Sequence, residues 1–527
     1  MVQTRRTVLM AAAATLAAPA IVRAQTQTTL KLIPQADLTV VDPIFTTAYV
    51  TRNHAFAVFD TLYGQDSQFR PQLQMLSRQT TEDDGKLWRL TLRSGLRFHD
   101  GTPVLARDCV ASIKRWGARD GYGQSLMAVT ADLSAPDDRT IQFRLRVPFP
   151  WLPDALCKSG PNMCAIMPER LASTDPFKQV TEVVGSGPFR FLADERVAGS
   201  RVAYAKFDGY VPRPDGTPSW TAGPKHVFFD RVEWTVIPDT ATASAAIQRG
   251  EVDWWERLDF DQKPLLQKDP NLQTFVIETT GNCGLLRFNC LHPPFDNPAI
   301  RRALLGAVNQ LDYMQAVAGE DPSAYRTGVG FYPPDTPMAS DAGMRALNAK
   351  PDFGAVKQAL ASAGYNGERV VVMVASDFPS LGALGNVGAD MLRRCGMNVD
   401  EQTTDWGTII QRRASKSPPG KGGWSVFFTT FTGLDTMNPA VNYGLRGNGE
   451  AAWFGWPTAP KLEALRASWL VAQDQAAQQA VCRELQQQAF QDAPYLPLGQ
   501  YFHSTVQRRS LTGTLTGLPL FWGVRRA

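Results

Sequence analysis

The sequence predicts a mixed α/β protein built from more than one core, and three observations carry that expectation. The chain has 527 residues, well beyond the length at which one hydrophobic core keeps growing. Its composition, 44% hydrophobic and 20% charged, is that of a folded water-soluble chain rather than a disordered, collagen-like or multi-span one. Between about residues 281 and 500, segments of helical period alternate with valine-rich extended runs, the pattern of an α/β lobe. No short internal repeat or long low-complexity tract is present, which sets aside solenoids and propellers.

Taken in chain order, the first element is an export signal. MVQTRRTVLMAAAATLAAPAIVRAQ combines an arginine pair, an alanine-rich apolar run and Val22-Arg23-Ala24, a small-residue site for cleavage after Ala24. Arg5-Arg6 ahead of Val8 and Leu9 resembles a twin-arginine signal. The run from Val8 to Val22 contains Pro19 and falls short of the roughly twenty apolar residues of a spanning helix. Further on, WRLTL, Trp88 to Leu92, alternates apolar and polar; Ser94-Gly95 breaks the alternation and Leu96-Arg97-Phe98 resumes it, which predicts a hairpin. Asp100-Gly101 then predicts a turn, with Pro103 fixing the chain beyond it. Leu105, Cys109, Ile113 and Trp116 recur at helical spacing.

In the second half, Ile300, Leu304, Val308 and Leu311 predict one helix from Pro298 to a stop at Gly319. FGAVKQALASAGYNGERVVVMVAS, from Phe353, reads as helix, turn and strand, and ALGNVGADMLRRCGMNVDEQTT, from Ala383, repeats that order. The cluster GALGNVG from Gly382 is expected to be a helix-entry turn, and the region closes with one long helix from Lys461 to Gln491, stopped by Pro494.

Charge and residue chemistry exclude several function classes. The chain carries 54 basic and 50 acidic residues; without Arg5, Arg6 and Arg23 the balance is 51 to 50, a net of +1. No run of five or six like charges, and no basic block interleaved with aromatics, suggests a nucleic-acid surface. H-E-x-x-H, G-x-S-x-G, the Walker lysine loop and G-x-G-x-x-G are absent. The five histidines, His54, His99, His226, His292 and His503, are dispersed without metal-ligand spacing. His99-Asp100 reads as part of a turn rather than a catalytic dyad. All seven cysteines lie beyond residue 24, an odd number for an oxidising compartment. Cys283 and Cys290, on one extended run, cannot bridge each other, whereas Cys157 and Cys164 flank a loop and are the candidate disulfide.

The segment Arg70 to Trp116, RPQLQMLSRQTTEDDGKLWRLTLRSGLRFHDGTPVLARDCVASIKRW, resembles the signature of family 5 extracellular solute-binding proteins, the periplasmic receptors of peptide and nickel ABC importers. Val41-Asp42-Pro43, Phe59-Asp60-Thr61-Leu62, Gly185-Ser186-Gly187-Pro188-Phe189, Ile247 to Asp253, Phe288-Asn289 and Pro294-Phe295-Asp296 resemble further family elements. Leu105 departs from the usual Thr or Ser and cannot cap the helix after it through a hydroxyl. The resemblance implies a two-lobed α/β periplasmic binding protein of class II, Venus-flytrap type, with an extra domain in the amino-terminal lobe. Domain I would comprise 25–66, 187–280 and 501–527, domain II 67–186 and domain III 281–500, with hinge strands near Thr279 to Asn289 and Pro494 to Ser504.

In peptide-binding members of that family, domain III carries a tryptophan followed shortly by an aspartate that pairs with the peptide's amino terminus. The corresponding segment here is GGWSVFFTTFTGLDTMNPAVN, Gly422 to Asn442. Phe431 stands for the tryptophan, Leu434 falls where the aspartate belongs without a gap, and Asp435 arrives one residue late, to bind ligand or to sit as a solvated turn residue. Trp424 and Trp453, among rings beside Gly433, Gly444, Gly447 and Gly455, suit an enclosing apolar pocket with mobile glycine loops or belong to the core. Tyr49, Asn282 and Trp406 are expected to face the cleft from the amino lobe, the hinge and a following loop. Arg446 could receive a ligand carboxylate or pair with Glu450.

The expected function is a receptor that captures a small solute, peptide-like or another small organic molecule, by hinge closure. It would act in the periplasm without catalysis, cofactor or metal, as a monomer, and deliver the solute to ABC permease subunits with a cytoplasmic ATPase. The alternatives are a nickel or metal-chelate receptor of the same family, an exported hydrolase, or a receptor feeding a membrane sensor.

Overall fold

The computed structural model describes residues 28–527; the export signal expected over 1–24 lies outside the described residues. Three sheets organise the chain. The first has seven strands in the order Leu272–Val276, Ser504–Arg508, Trp254–Trp255, Thr29–Ile33, Arg231–Thr235, Arg201–Lys206 and Phe189–Phe191. Thr29–Ile33 at its centre pairs in parallel with both neighbours, and Leu30 and Leu32 on one face are fully buried while Lys31 between them is exposed, the two-residue period of a half-buried strand.

The second sheet is antiparallel, in the order Leu76–Glu82, Leu87–Leu92, Thr140–Leu145 and Thr130–Ser134. The hairpin expected between Trp88 to Leu92 and Leu96 to Phe98 is therefore corrected: Leu87–Leu92 pairs with the strand before it and with Thr140–Leu145, and 96–98 contributes only a bridge from Arg97 to Pro103. The turn that reverses the chain is Asp83-Asp84-Gly85, all three at positive φ. Helix Ala106–Gly117 covers this sheet, and Leu105 at its N-cap supplies no side-chain bond. Asp108 Oδ2 instead accepts the Leu105 N–H at 2.8 Å, satisfying one of the free donors of the first turn.

His99 joins this unit to the first sheet. Its Nε2 lies 3.0 Å from the Gly187 carbonyl and its Nδ1 3.3 Å from the Gly185 N–H. A carbonyl can only accept and an N–H only donate, so the ring is the neutral Nε2–H tautomer. Burial holds its pKa down at about 4. Asp100 closes the adjoining turn by accepting from Thr102 N and Oγ1.

The third sheet runs Tyr325–Arg326, Tyr495–Tyr501, Asn282–Phe288, Val426–Thr432, Arg369–Ala375 and Asn398–Thr404. Helix Pro379–Arg394 crosses it and contains the GALGNVG cluster, which is no entry turn. Its glycines face the sheet: a Cβ on Gly382 would lie 2.7 Å from the Ala375 carbonyl, on Gly385 2.8 Å from Val374, and on Gly388 2.3 Å from the Phe428 ring. Glycine here lets helix and sheet backbones approach, at the expense of helix propensity.

Two further expectations are corrected. The helix expected from Pro298 to Gly319 is Pro298–Ala303, a 3-10 turn Leu304–Ala307 and Gln310–Ala318; Val308 is extended and the Asn309 side chain caps the second helix. The helix expected from Lys461 to Gln491 is two, Pro460–Leu470 and Gln475–Asp492, because Asp474 accepts the Ala477 N–H and starts the second. Cys157 and Cys164 are both free and buried, not bridged.

Leu272–Val276 and Ser504–Arg508 pair antiparallel in the first sheet, and Asn282–Phe288 and Tyr495–Tyr501 pair antiparallel in the third. The chain thus crosses between these sheets through 277–281 and 502–503. Gly281 has φ +58°, and a Cβ there would meet the Phe502 ring at 2.7 Å, so the two crossings touch where only glycine fits.

Candidate functional site

A cleft of about 570 Å³ lies beside these crossings, with residues of both sides in its walls. Tyr49 opens helix Tyr49–Val58 on one side. Its ring lies under the Arg52 guanidinium at 5.0 Å, and Arg52 is fixed by an ion pair to Glu278 at 3.1 Å. The Tyr49 hydroxyl donates to Asp435 Oδ2 at 2.7 Å and accepts the Thr432 N–H at 3.0 Å.

Asp435 reaches that position through local geometry. Strand Val426–Thr432 ends in the 3-10 turn Gly433–Asp435, and three residues make one turn of such a helix. Asp435 therefore returns above Thr432, whose hydroxyl donates to Oδ2 at 2.9 Å. Gly433 is packed against the Thr280 carbonyl, 2.3 Å from where a Cβ would stand. The turn also resolves the one-residue offset: Leu434 points to a smaller cavity, while Asp435 lines the cleft. Asp435 is buried, so the solvated-turn alternative does not hold. Burial raises its pKa against the opposing hydroxyl bonds and the Lys158 charge.

The opposite wall is aromatic. Phe431 and Trp453 have ring centroids 5.2 Å apart, and Phe378 and Trp406 6.3 Å apart. Between them stands Arg413, its guanidinium 5.6 Å from the Trp406 ring, 5.7 Å from Trp453 and 4.7 Å from Phe454. Among the described residues its side chain has no ion pair, and its Nε is buried without a hydrogen-bond partner. Burial lowers its pKa to about 10, so it stays protonated at neutral pH. Arg257 also lines the cleft, donating to Asn282 Oδ1 at 3.2 Å. Tyr443 completes the wall, its hydroxyl accepting the Gly121 N–H at 3.1 Å.

Six of the eight residues expected from the sequence thus meet in one cleft: Tyr49, Asn282, Trp406, Phe431, Asp435 and Trp453. Two do not. Trp424 has no exposure and lies against Phe427 and Trp456 at 5.0 and 6.0 Å, the ordinary fate of a large ring in a core. Arg446 turns away, its Nε 3.5 Å from Glu463, while Glu450 pairs with Lys416 instead. The neighbouring glycines are tightly packed rather than mobile: a Cβ on Gly447 would meet Ala459 at 2.7 Å and one on Gly455 the Phe288 carbonyl at 2.2 Å. Sequence reasoning missed Arg413 and Arg257; Tyr443, one of the rings expected beside the domain III glycines, does line the cleft. Arg413 follows a short helix in the stretch RRASKS, and nothing there distinguishes it from the solvated basic end that helices commonly carry.

The cleft offers one carboxylate, already holding two hydroxyls, and two guanidinium groups, Arg413 and Arg257, with no ion pair among the described residues. That pairing suits binding of a solute with a carboxylate and an amine or other donor. No group of three or more His, Cys, Asp or Glu side chains able to hold a metal ion occurs among the described residues.

Comparison with known proteins agrees with this architecture. Residues 70–452 match the model of the bacterial extracellular solute-binding proteins, family 5 Middle. A probable peptide ABC transporter periplasmic-binding protein of Sinorhizobium fredii is 37% identical over 524 residues, 98% of either chain. Among solved structures, the PBP AgaA from A. tumefaciens R10 in complex with agropinic acid superposes with a TM-score of 0.77 at 18% identity, over 95% of this chain and 98% of that one. The ABC transporter-associated periplasmic binding protein DppA from Helicobacter pylori in complex with a peptide gives a TM-score of 0.76 at 22% identity, over 96% and 99%. The fold is that of the two-lobed periplasmic binding proteins.

Proposed function

The chain belongs to family 5 of the bacterial extracellular solute-binding proteins, and from that premise we propose that it is the periplasmic receptor of an ABC importer for a small peptide-like or amino-acid-derived solute. The solute enters between the lobes and is carried, without chemical change, to permease subunits driven by a cytoplasmic ATPase. The receptor acts as a monomer after export and cleavage following Ala24. The S. fredii relative, named for peptide transport and alike over almost the whole chain, supports the peptide-like class.

The observation that carries the reading is Arg413. A guanidinium caged by rings and lacking an anion costs stability unless something arrives to pair with it. A ligand carboxylate would form a charge-assisted bond there worth about 1.5–3 kcal/mol, and Asp435 stands in the same cleft for the solute's amine. Native mass spectrometry of the purified protein, followed by titration calorimetry against the co-purified solute and a di- and tripeptide panel, tests it. Arg413→Ala should weaken binding about 10- to 100-fold, the range those energies imply. A carboxylate-bearing solute held equally by the variant and the wild type would refute this reading of the cleft, and turnover of the solute would refute the receptor function.

A further inference from the structure

Beyond the main cleft lies a second chamber of about 220 Å³, which shares only Lys158 and Val441 with it. Its charges do not balance. Arg70 is paired with Asp66 at 3.0 Å, and Lys158 with the Asp120 carboxylate and, at 2.6 Å, the Pro161 carbonyl. The remaining ionisable group in the lining, Asp154, has neither an ion pair nor a donor beyond its own backbone N–H among the described residues. Burial pushes its carboxyl up to about 7. Two more polar atoms in this lining have no hydrogen-bond partner among the described residues, the Tyr122 hydroxyl and the Gln478 Nε2, in residues that are each only 2% exposed.

The rest of the lining is aromatic and soft. Trp151 and Trp469 stack with centroids 6.3 Å apart at 22°, and Tyr122 lies 6.2 Å from Trp469. Trp151 is the N-cap of helix Leu152–Leu156, and Asp154 three residues on shares its face. Trp151 is itself fixed by an Nε1 bond to the Ala472 carbonyl at 2.8 Å, a group exposed by the break between the two helices there. Water could satisfy the amide and the hydroxyl, but it leaves the carboxylate without a counter-charge. Rings beside an unpaired acid are the chemistry that holds organic cations.

We propose that this chamber is a second binding site, for an organic ammonium ion, with the cationic nitrogen against Asp154 and the Trp151, Trp469 and Tyr122 rings and a ligand oxygen accepting from Gln478 Nε2. The cation is either a separate small amine or the amine-bearing end of a solute that reaches past Lys158 from the main cleft. Titration calorimetry of the full-length protein uses choline, ethanolamine and putrescine as probes, with 3,3-dimethylbutan-1-ol as the uncharged counterpart of choline. At least one amine should bind with a Kd below 10 mM, with the alcohol at least tenfold weaker than choline where choline binds. Asp154→Asn should weaken the amine at least tenfold. Because that change removes a partly buried carboxyl whose ionisation is opposed by its surroundings, the free variant should also melt a few degrees higher than the wild type at pH 8, a check that it folds. Gln478→Leu should weaken the hydroxylated probes about fivefold. Arg413→Ala, which tests the main cleft, should leave the amine affinity unchanged. An amine that still binds when the main cleft is filled is a separate ligand, and one displaced by the cleft solute marks the reach of that solute. No binding of any probe below 10 mM, or equal binding by Asp154→Asn and wild type, overturns the proposal without touching the receptor function.

Discussion

Tyr49 ties two parts of the molecule together with a single hydroxyl, donating to Asp435 and accepting from the Thr432 backbone. Tyr49→Phe removes both bonds and leaves the Asp435 carboxylate with Thr432 alone; loss of a hydrogen bond to a charged group costs about 1.5–3 kcal/mol. The expected result is a lower urea midpoint and solute affinity reduced about tenfold, and wild-type values for both would show that the pair contributes nothing. The histidines give a second prediction. His54 and His99 are buried neutral, with pKa values held down at about 3 and about 4 from an ordinary 6.5, and burial acts on His503 in the same direction. In each case the unfolded chain takes up a proton that the folded chain refuses, so their contribution is complete above pH 6.5 and is lost as pH falls toward 4. The slope is up to about 1.4 kcal/mol per pH unit for each histidine. Urea midpoints should therefore fall between pH 6.5 and 5, by less than three histidines alone would give, because Asp154, held up at about 7, takes up a proton in the folded state over the same range and offsets about one of them. In Asp154→Asn the fall should steepen, and a flat midpoint in that variant would mean that these rings are protonated in the folded state. Residue roles were legible unevenly. Asp100 and Gly101 announced their turn, but that Trp424 is core and Arg413 stands half-buried among rings depends on packing that no local pattern records.

At the scale of elements, helix Pro379–Arg394 shows how sequence punctuation can mislead. Its glycines, which in isolation weaken a helix by up to about 1 kcal/mol each, serve the contact with the sheet. Gly388→Ala gains that propensity but drives a methyl to 2.3 Å from Phe428, whose ring is 2% exposed and cannot withdraw. Overpacking of this kind costs about 1–3 kcal/mol, so a net loss is expected, read as a lower melting temperature, and Gly388→Leu should be worse. A stabilised Gly388→Ala would mean that the helix can shift away from the sheet. The helices expected over 298–319 and 461–491 were legible as helical but not as broken, because apolar periodicity runs on through Val308 and Val471 while Asn309 and Asp474 cap second helices. Side-chain capping is a local competition, weaker as a sequence signal than the spacing of buried residues. The strand Leu87–Leu92 was seen correctly and given the wrong partner, since alternation fixes a face and not a neighbour.

At the scale of the molecule, the family was legible from Arg70 to Trp116 because that stretch combines turns, a strand and a helix start in a fixed order, whereas cleft chemistry depends on residues hundreds of positions apart. Among the described residues, polar contacts that cross the cleft side of the fold include Tyr49 to Asp435 and to the Thr432 N–H, Arg257 to Asn282 at 3.2 Å, Gly121 to Tyr443 at 3.1 Å, Trp151 to Ala472 at 2.8 Å and Lys263 to Asp321 at 2.9 Å. On the proposed hinge mechanism these bonds, worth about 1 kcal/mol each and about 1.5–3 kcal/mol where a charged group takes part, would bias the molecule toward closure by several kcal/mol, and opening would bend the adjacent crossings 277–281 and 502–503. On the same proposal, a solute that pairs Arg413 would add about 1.5–3 kcal/mol to the closed form alone, the differential affinity needed to shift such an equilibrium. The double variant Tyr49→Phe, Tyr443→Phe deletes three crossing contacts without charging or emptying the cleft. Small-angle scattering of this variant without solute should give a larger radius of gyration than the wild type, and saturating solute should restore the wild-type value. Tryptophan emission should follow, since Trp406 and Trp453 stand in the cleft wall. An unchanged radius in both states, with solute demonstrably bound, would reject hinge closure and leave a rigid receptor that loads through a fixed opening.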